Sequence, residues 1–376
     1  MANKVPCAEE SHFPHPPIYR STSGVYPHFA ALDSASQDAL KSEYPRYSRF
    51  GTPVTDAVEC EITRLEGGYG SLSTCSGLAA ITSVFMAFLR PGDHILITRS
   101  VYEPVRRYVM TYLSGLGISA TFLSAEEFCH LEEYVNDKTT LIYVESPSSN
   151  IFEVTDIALV ARFAQERGIL TIIDNTWSTP LLLNPLHYGF DVVIHSASKY
   201  LAGHSDAVIG TITTTERYYG TIRRYLMASG VCAGGEESFS LYKGLKTLPL
   251  RLKTQQKTAQ KLIEMLSAHP VVTRVVSPAL PSHASHDVFR KYYQQGNGLF
   301  SFAIKKTTDL KRDAFLRELR TFKLAYGWGG VESCIIPFRS PDWVADGNEL
   351  LFFRISVGIE EEEVLANELL LALSKL

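Results

Sequence analysis

Residues 191–206 read DVVIHSASKYLAGHSD. The apolar run at the start of this stretch is typical of a buried strand, and Lys199 follows it within a few residues. Lysine is almost never fully buried unless it is paired or used chemically. The stretch therefore predicts a strand that ends in a functional site, with Lys199 as the first residue to explain.

Short apolar strands alternate with helical patterns on both sides of this stretch. Strands are predicted at residues 94–98, 141–145, 170–174 and 191–196, with helices at 77–89 and 157–167. Because such strands are apolar on both faces, they indicate a mostly parallel sheet that is covered by helices. The predicted fold class is therefore α/β.

The character of the sequence changes twice along the chain. Residues 1–50 are irregular and rich in Pro, Tyr and Ser, which predicts an arm laid over another surface, such as a neighbouring subunit, rather than a self-sufficient unit. After residue 245, a long amphipathic helix is followed by the strand-like segments GLFSFAI and LLFFRISVGI and by a closing helix. We therefore predict an arm at 1–50, a large α/β domain at 51–245 and a smaller α+β domain at 246–376.

Composition and charge argue against several classes of function. The 376 residues carry a formal net charge of −4 without a basic cluster, so no nucleic-acid partner is expected. No apolar run has the length of a membrane span, and no signal peptide is predicted. The six cysteines and eleven histidines show no metal-site spacing, so no metal is expected. We expect reduced thiols and a cytoplasmic location.

Three features are predicted to meet at one edge of the sheet, because ligands of open α/β sheets bind beyond the carboxyl ends of the strands. Asp174 ends one strand, and Lys199 follows another. The segment SGLAA opens a helix at Gly77, where backbone N–H groups can hold an anion. A lysine, an acid and a phosphate cradle are the parts that pyridoxal 5'-phosphate needs, since lysine forms the Schiff base and the acid keeps the pyridine nitrogen protonated.

The sequence resembles the Cys/Met-metabolism enzymes that use pyridoxal phosphate, which have the fold-type I transferase-like architecture. The resemblance runs from about Tyr47 to the C-terminus, and its most specific part is DNTW followed by GFDVVIHSASKYLAGHSDAVIG. It implies that Lys199 is the Schiff-base lysine and proton shuttle and that Asp174 is the pyridinium partner. It also implies four phosphate-binding residues, which are Ser196, Ser198, Gly77 and Leu78.

The same resemblance assigns residues outside this edge. Tyr102, in SVYEPVRR, matches the catalytic-site tyrosine that stacks on the cofactor ring. Tyr47 and Arg49 match a pair that reaches the phosphate of a neighbouring subunit, which implies a homotetramer built from dimers with shared sites. Arg354, in FFRISVG, matches the arginine that holds the substrate α-carboxylate in a bidentate pair.

Three departures from the common family pattern bear on the reaction. YEPV stands at residues 102–105 where many γ-acting members carry YGGT, and GWGG stands at 327–330 where many carry SLGG. In ESPSSN, Ser149 replaces a common asparagine. All three resemble the bacterial cystathionine β-lyases, which implies cleavage of L-cystathionine to homocysteine, pyruvate and ammonia in methionine biosynthesis. The predicted substrate-binding residues are Arg354, Trp328, Tyr47 and Ser149.

Two alternatives stay open. A γ-acting relative, such as a cystathionine γ-synthase, a γ-lyase or an acyl-homoserine sulfhydrylase, is disfavoured by YEPV and GWGG but is not excluded. A catalytically silent relative with a binding role predicts damage to the cofactor set, whereas Lys199, Asp174, Ser196 and Arg354 are all intact. The sequence also leaves open the choice among cystathionine, other thioethers, cystine and cysteine.

Overall fold

A computed structural model describes residues 14–37, 47–338, 344–345 and 348–376. Seven strands form the larger sheet, in the order β1-β7-β6-β5-β4-β2-β3. These strands are β1 (Gly70–Thr74), β2 (His94–Thr98), β3 (Ser119–Leu123), β4 (Thr139–Glu145), β5 (Leu170–Asp174), β6 (Val192–His195) and β7 (Gly210–Thr214). The pairs from β3 to β6 are all parallel, and β7 runs antiparallel to both β6 and β1.

Helices cover both faces of this sheet. They are α2 (Pro53–Glu66), α3 (Gly77–Phe88), α4 (Glu103–Tyr108), α5 (Ile157–Arg167), α6 (Thr179–Leu182) and α7 (Glu216–Ser229), and α1 (Phe29–Gln37) precedes them. Neighbouring strand residues enter separate apolar cores, so Ile173 packs on one side of the sheet and Ile172 on the other. Burial of both faces confirms the predicted α/β fold with a mostly parallel sheet.

A second, smaller sheet follows the long helix α8 (Gly235–Ser267). Its order is β10-β11-β13-β9-β8, and β12 pairs with β13. These elements are β8 (Val272–Val276), α9 (His286–Tyr292), β9 (Leu299–Lys305), α10 (Asp309–Glu318), β10 (Lys323–Leu324), β11 (Cys334–Phe338), β12 (Val344–Ala345), β13 (Asn348–Ser356) and α11 (Glu362–Leu373). The smaller C-terminal α+β part expected from the sequence is therefore present.

Two of the predicted segments differ from the helices and turns that the structure shows. The predicted division between residues 245 and 246 falls inside α8, because this helix packs against α2 and also against the second sheet. The arm was expected to be irregular, but it contains α1 and a short 3-10 turn at Ser48–Phe50. Part of the predicted arm lies outside the described residues, and the three-part division remains a proposal.

The cysteines correct one expectation. Cys60 is disulfide-bonded, whereas Cys75, Cys129, Cys232 and Cys334 are free thiols. A disulfide requires two Cα atoms within about 7 Å, and the fold sets this distance independently of spacing along the chain.

In the described ranges, no helix combines the length and apolar composition that crossing a membrane requires. The same ranges contain no group of three or more His, Cys, Asp or Glu side chains that could hold a metal ion.

Candidate active site

Lys199 lies in a tight turn directly after β6. Its backbone N–H donates to the carbonyl of Ser196 over 3.0 Å, and its own carbonyl accepts from the N–H of Gly203 over 2.8 Å. The buried Arg251 of α8 donates to the carbonyl of Tyr200 over 2.8 Å. These bonds fix the turn, so the backbone of Lys199 is held at the carboxyl end of the strand.

The side chain of Lys199 has an unusual electrostatic environment. Burial, and then the positive charge of Arg354, lower the pKa of Lys199 from 10.5 to about 8. The ammonium nitrogen lies 5.5 Å from the centre of the Trp328 ring. A buried amine with a lowered pKa is available in its neutral form near neutral pH, which nucleophilic and proton-transfer chemistry requires.

Asp174 ends β5, the strand beside β6, and is 8% exposed. Its Oδ1 accepts hydrogen bonds from the backbone N–H of Thr176 over 2.9 Å and from the hydroxyl of the same residue. The hydroxyl of Tyr143 donates to Oδ2 over 3.4 Å. Burial raises the pKa of Asp174, and the bonds from Thr176 oppose that rise. The carboxylate is thus held at one oxygen and more weakly contacted at the other.

Glu145 is a second buried carboxyl that the sequence analysis did not single out. It ends β4 and pairs in register with Asp174. Its oxygens accept from the backbone N–H of Tyr102 over 2.7 Å and from the hydroxyl of Ser149 over 2.6 Å. Burial, and then the charge of Asp174, raise the pKa of Glu145. An acid that ends a buried strand was the signal for Asp174, and the same signal in LIYVE could have found Glu145.

The start of α3, where the sequence predicts an anion cradle, lies beside the lysine turn. Ser76 caps this helix, with its side chain accepting from the N–H of Ala79 over 3.1 Å. Gly77 and Leu78 then occupy the first turn, where N–H groups have no acceptor within the helix. A Cβ atom at Gly77 would lie 2.6 Å from the Cβ of Ser196, so only glycine allows this approach. The cradle thus places helix N–H groups next to the Ser196 side chain.

The hydroxyl of Ser198 makes different contacts from the side chain of Ser196, which faces the start of α3. Its hydroxyl donates to the carbonyl of Ile209 over 3.1 Å and accepts from the N–H of the same residue over 2.8 Å. These contacts join the lysine turn to the segment that leads into β7. The structure therefore shows the Ser198 hydroxyl engaged with the backbone, while Ser196 contacts the start of α3.

Of the predicted substrate residues, Arg354 and Trp328 lie near Lys199, and both come from other parts of the chain. Arg354, on β13, donates to the carbonyl of Tyr326 over 2.7 Å and to the side chain of Asn150 over 3.3 Å. Burial lowers the pKa of Arg354 to about 10. Tyr102, just before α4, is 49% exposed. The predicted substrate residue Ser149 donates its hydroxyl to Glu145, the same carboxylate that accepts from the backbone N–H of Tyr102.

Trp328 completes this side of the cluster. Its ring meets that of Tyr200 edge to face, with 5.5 Å between centroids. Gly329 follows with a φ of +76°, and a Cβ at that position would lie 2.7 Å from the backbone nitrogen of Tyr200. The GWGG segment therefore packs directly against the turn that carries Lys199.

Tyr47 and Arg49 are not brought to this cluster within the described chain. Arg49 donates to the carbonyl of Met227 over 2.5 Å and stacks over the ring of Phe50 at 4.2 Å. Tyr47 is 50% exposed and bridges to Ser23. Their predicted action on a neighbouring subunit is not tested by these contacts.

The residues at the carboxyl ends of β5 and β6 fit pyridoxal phosphate. Lys199 offers a buried amine, Asp174 a buried carboxylate, and Gly77 the close approach that opens a helix N-terminus. The amine suits the aldehyde of the cofactor, the carboxylate suits its pyridine nitrogen, and the helix N-terminus suits its phosphate.

Comparisons with known proteins agree with this chemistry. The family model described as "Cys/Met metabolism PLP-dependent enzyme" matches residues 8–374. A putative cystathionine beta-lyase of Rhizobium johnstonii is 34% identical, over 93% of this chain and 88% of that protein. A cystathionine gamma-lyase of Bacillus subtilis is 35% identical, over 86% of this chain and 87% of that protein.

A solved structure is also similar over almost the whole chain. The crystal structure of cystathionine gamma-lyase from Lactobacillus plantarum complexed with L-serine superposes with a TM-score of 0.83 at 30% identity. The match covers 96% of this chain and 92% of that one. The chain therefore belongs to the Cys/Met metabolism PLP-dependent enzyme family, and its cofactor is pyridoxal 5'-phosphate.

Proposed function

We propose that the protein is a carbon–sulfur β-lyase that cleaves L-cystathionine to homocysteine, pyruvate and ammonia, as a step of methionine biosynthesis. The observation that carries this choice is the position of Trp328 in GWGG, 5.5 Å from the amine of Lys199. β-Elimination removes one proton, from Cα, whereas γ-chemistry needs a second deprotonation at Cβ. An indole packed against the amine supports a lysine that serves Cα alone.

Lys199 is assigned the proton transfers. Pyridoxal phosphate, when bound, supplies the electron sink that makes the Cα proton acidic. The neutral amine of Lys199 takes that proton and then delivers it to the sulfur of the departing homocysteine. Its lowered pKa, about 8, supports this role because both protonation states are accessible near neutral pH.

The residues around Lys199 are assigned to holding and orientation. Asp174 keeps the ring nitrogen protonated, and its hydrogen bonds from Thr176 favour the ionised carboxylate that this requires. Gly77, Leu78 and Ser196 are assigned to the phosphate, whereas Ser198, which the sequence also predicts as a phosphate ligand, uses its hydroxyl to join the lysine turn to Ile209. Tyr102 would stack on the ring as a catalytic-site residue. For the substrate, we propose contacts from Arg354, Trp328 and Ser149, with Tyr47 from a neighbouring copy.

Assembly and location are part of the same proposal. Tyr47 and Arg49 lie away from Lys199 in their own chain, which supports their use by the site of a second copy. Arm residues 1–50 contact that neighbour, residues 51–245 hold the cofactor and residues 246–376 complete the substrate side. The proposed state is a homotetramer built from dimers, located in the cytoplasm.

The proposed reaction is tested by its products. The cofactor-loaded protein is incubated with L-cystathionine, and the 2-oxo acid and the thiol are identified by chromatography. The proposal predicts pyruvate together with homocysteine. Formation of 2-oxobutanoate together with cysteine would instead identify a γ-lyase.

A γ-acting enzyme is the second candidate. The similarity to cystathionine gamma-lyases from two bacteria, one of them by structure, favours it. A cofactor absorbance band without any 2-oxo acid would point to a synthase or to a different sulfur-containing amino acid, such as cystine. The catalytically silent alternative predicts that no visible band depends on Lys199, so Lys199→Ala tests it directly.

A further inference from the structure

The guanidinium of Arg354 is held by neutral oxygen atoms. Nη2 donates to the backbone carbonyl of Tyr326 over 2.7 Å, and Nη1 donates to Oδ1 of Asn150 over 3.3 Å. Among the described residues, the charges that raise the pKa of Arg354 against the effect of burial are those of Cys334, Tyr102 and Tyr200, none of which is a carboxylate, and the nearby Lys199 is a second positive charge. The positive charge is therefore oriented without being paired.

The backbone beside Asn150 is fastened to the strands that carry Arg354. The carbonyl of Asn150 accepts from the hydroxyl of Ser301 over 2.9 Å. Ser301 is fully buried on β9 and lies opposite Arg354 of β13 in the antiparallel register. The next carbonyl, of Ile151, contacts Nε2 of His283 over 2.9 Å. The turn after β4 thus has a fixed position relative to the guanidinium.

The conformation of Asn150 suits this role. Its φ is +64°, in the left-handed region that asparagine adopts more readily than most residues with a side chain. The preceding Ser149 turns its hydroxyl to Glu145 instead. The amide that meets the arginine is therefore one position later than the asparagine common in the family.

We propose that Asn150 is a positioning residue that aims the guanidinium of Arg354 at the α-carboxylate of the amino-acid substrate. The inference rests on the carboxylate-binding role proposed for Arg354 above. A neutral amide oxygen orients the guanidinium and leaves its charge for the ligand, whereas a carboxylate at this position would neutralise it. Holding the side chain in advance also reduces the entropy lost when substrate binds.

The test compares two ligands that share an amino group and differ in the carboxylate. L-Alanine and ethylamine are titrated into the holoenzyme, and dissociation constants are read from the absorbance of the bound cofactor. Asn150→Gly removes the amide, and glycine accepts the positive φ. We expect L-alanine to bind about tenfold more weakly, as for one lost charge-assisted hydrogen bond, with ethylamine unchanged.

Two further variants sharpen the comparison. In Asn150→Asp, the new carboxylate pairs with Arg354, so we expect weaker binding of L-alanine than in Asn150→Gly. Ser205→Gly is the matched control, because Ser205 also has a positive φ, of +56°. Replacing it by glycine relaxes the backbone in the same way and should leave the dissociation constants of both ligands unchanged.

The outcomes separate this inference from the proposed function. The inference is overturned if Asn150→Gly weakens both ligands equally or leaves both unchanged, or if Asn150→Asp binds L-alanine as the wild type does. A wild type without preference for L-alanine over ethylamine removes the clamp role of Arg354, and the inference with it. A wild-type preference that is undiminished in Asn150→Gly overturns the inference alone.

Discussion

The proposed cofactor side and the proposed substrate side of the site are built in different ways. Lys199 and Asp174 follow adjacent parallel strands of one sheet and meet the N-terminus of α3. Tyr102, Trp328 and Arg354 come from segments far apart in the chain, and Arg354 is carried by the second sheet. Asp174 is 8% exposed, whereas Tyr102 is 49% exposed.

The first group of residues serves steps that every reaction of the family shares, and the second group selects one reaction. Parallel-strand topology brings a set of residues on the ends of neighbouring strands to one edge of the sheet. A set drawn from loops and a second sheet can vary while the first stays constant. Substitutions on the cofactor side should therefore lower the turnover of every substrate, and those on the substrate side should change the rate, the position of the reaction or the preferred ligand.

The largest effect is expected for Lys199→Ala. Without the amine, no group remains to hold the cofactor covalently or to move the Cα proton, so turnover should fall by at least ~10³-fold. The measurement combines kcat with the visible absorbance of the bound cofactor. Lys253→Ala, at an exposed position of α8, is the control and should keep both. Retention of the band in Lys199→Ala would contradict the assignment.

A smaller but still large effect is expected for Asp174→Asn. The amide keeps the size of the side chain but removes the charge that stabilises a protonated ring nitrogen, so kcat should fall roughly 10²-fold. Affinity for pyridoxal phosphate, from titration of the apoenzyme, should fall as well. Asp191→Asn is the control, since Asp191 binds Thr171 at the opposite end of the sheet. Equal losses in both variants would show a general structural effect.

On the substrate side, Trp328→Leu should change the position of the reaction. Removing the indole frees space around the amine of Lys199, which lies 5.5 Å from the ring. We expect about tenfold slower pyruvate formation from L-cystathionine and the appearance of some 2-oxobutanoate, with cofactor affinity unchanged. Unchanged product ratios and rates would show that Trp328 does not set the reaction position.

The smallest expected effect concerns the pH dependence of Lys199 itself. The amine must be neutral to capture pyridoxal phosphate, so capture by the apoenzyme should accelerate with pH and level off above about 8. The charge of Arg354 disfavours the protonated amine, so Arg354→Ala should raise the pKa of Lys199 and move this profile to higher pH. Because burial is the larger cause, the displacement should be modest. A displacement to lower pH would contradict the assignment.

The same contrast explains how far the sequence could predict the molecule. The strands that end in Asp174 and in the lysine turn were predictable because apolar runs and strand-end polar residues are local signals. The close approach of Gly77 to Ser196 depends on the same sheet edge, so a predicted parallel topology was enough to bring them together.

Contacts between distant segments were not predictable in this way. Asn150 meets Arg354 only because the turn after β4 packs on the second sheet, and no pattern within ESPSSN indicates that neighbour. Ser198 matched a phosphate ligand by position, yet its hydroxyl is paired with Ile209 across a loop. Such pairings depend on how the two sheets and their loops pack, which local periodicity does not encode.

The most direct test of the account is hydrogen exchange on L-alanine, which has Cα and Cβ protons but no leaving group. The holoenzyme is incubated with L-alanine in deuterated water, and proton NMR follows deuterium entry at each carbon. Because the account has Trp328 restrict proton transfer by Lys199 to Cα, it predicts that deuterium enters at Cα alone. Comparable exchange at Cβ would contradict the account, because it would show that Lys199 also serves the carbon that γ-chemistry requires.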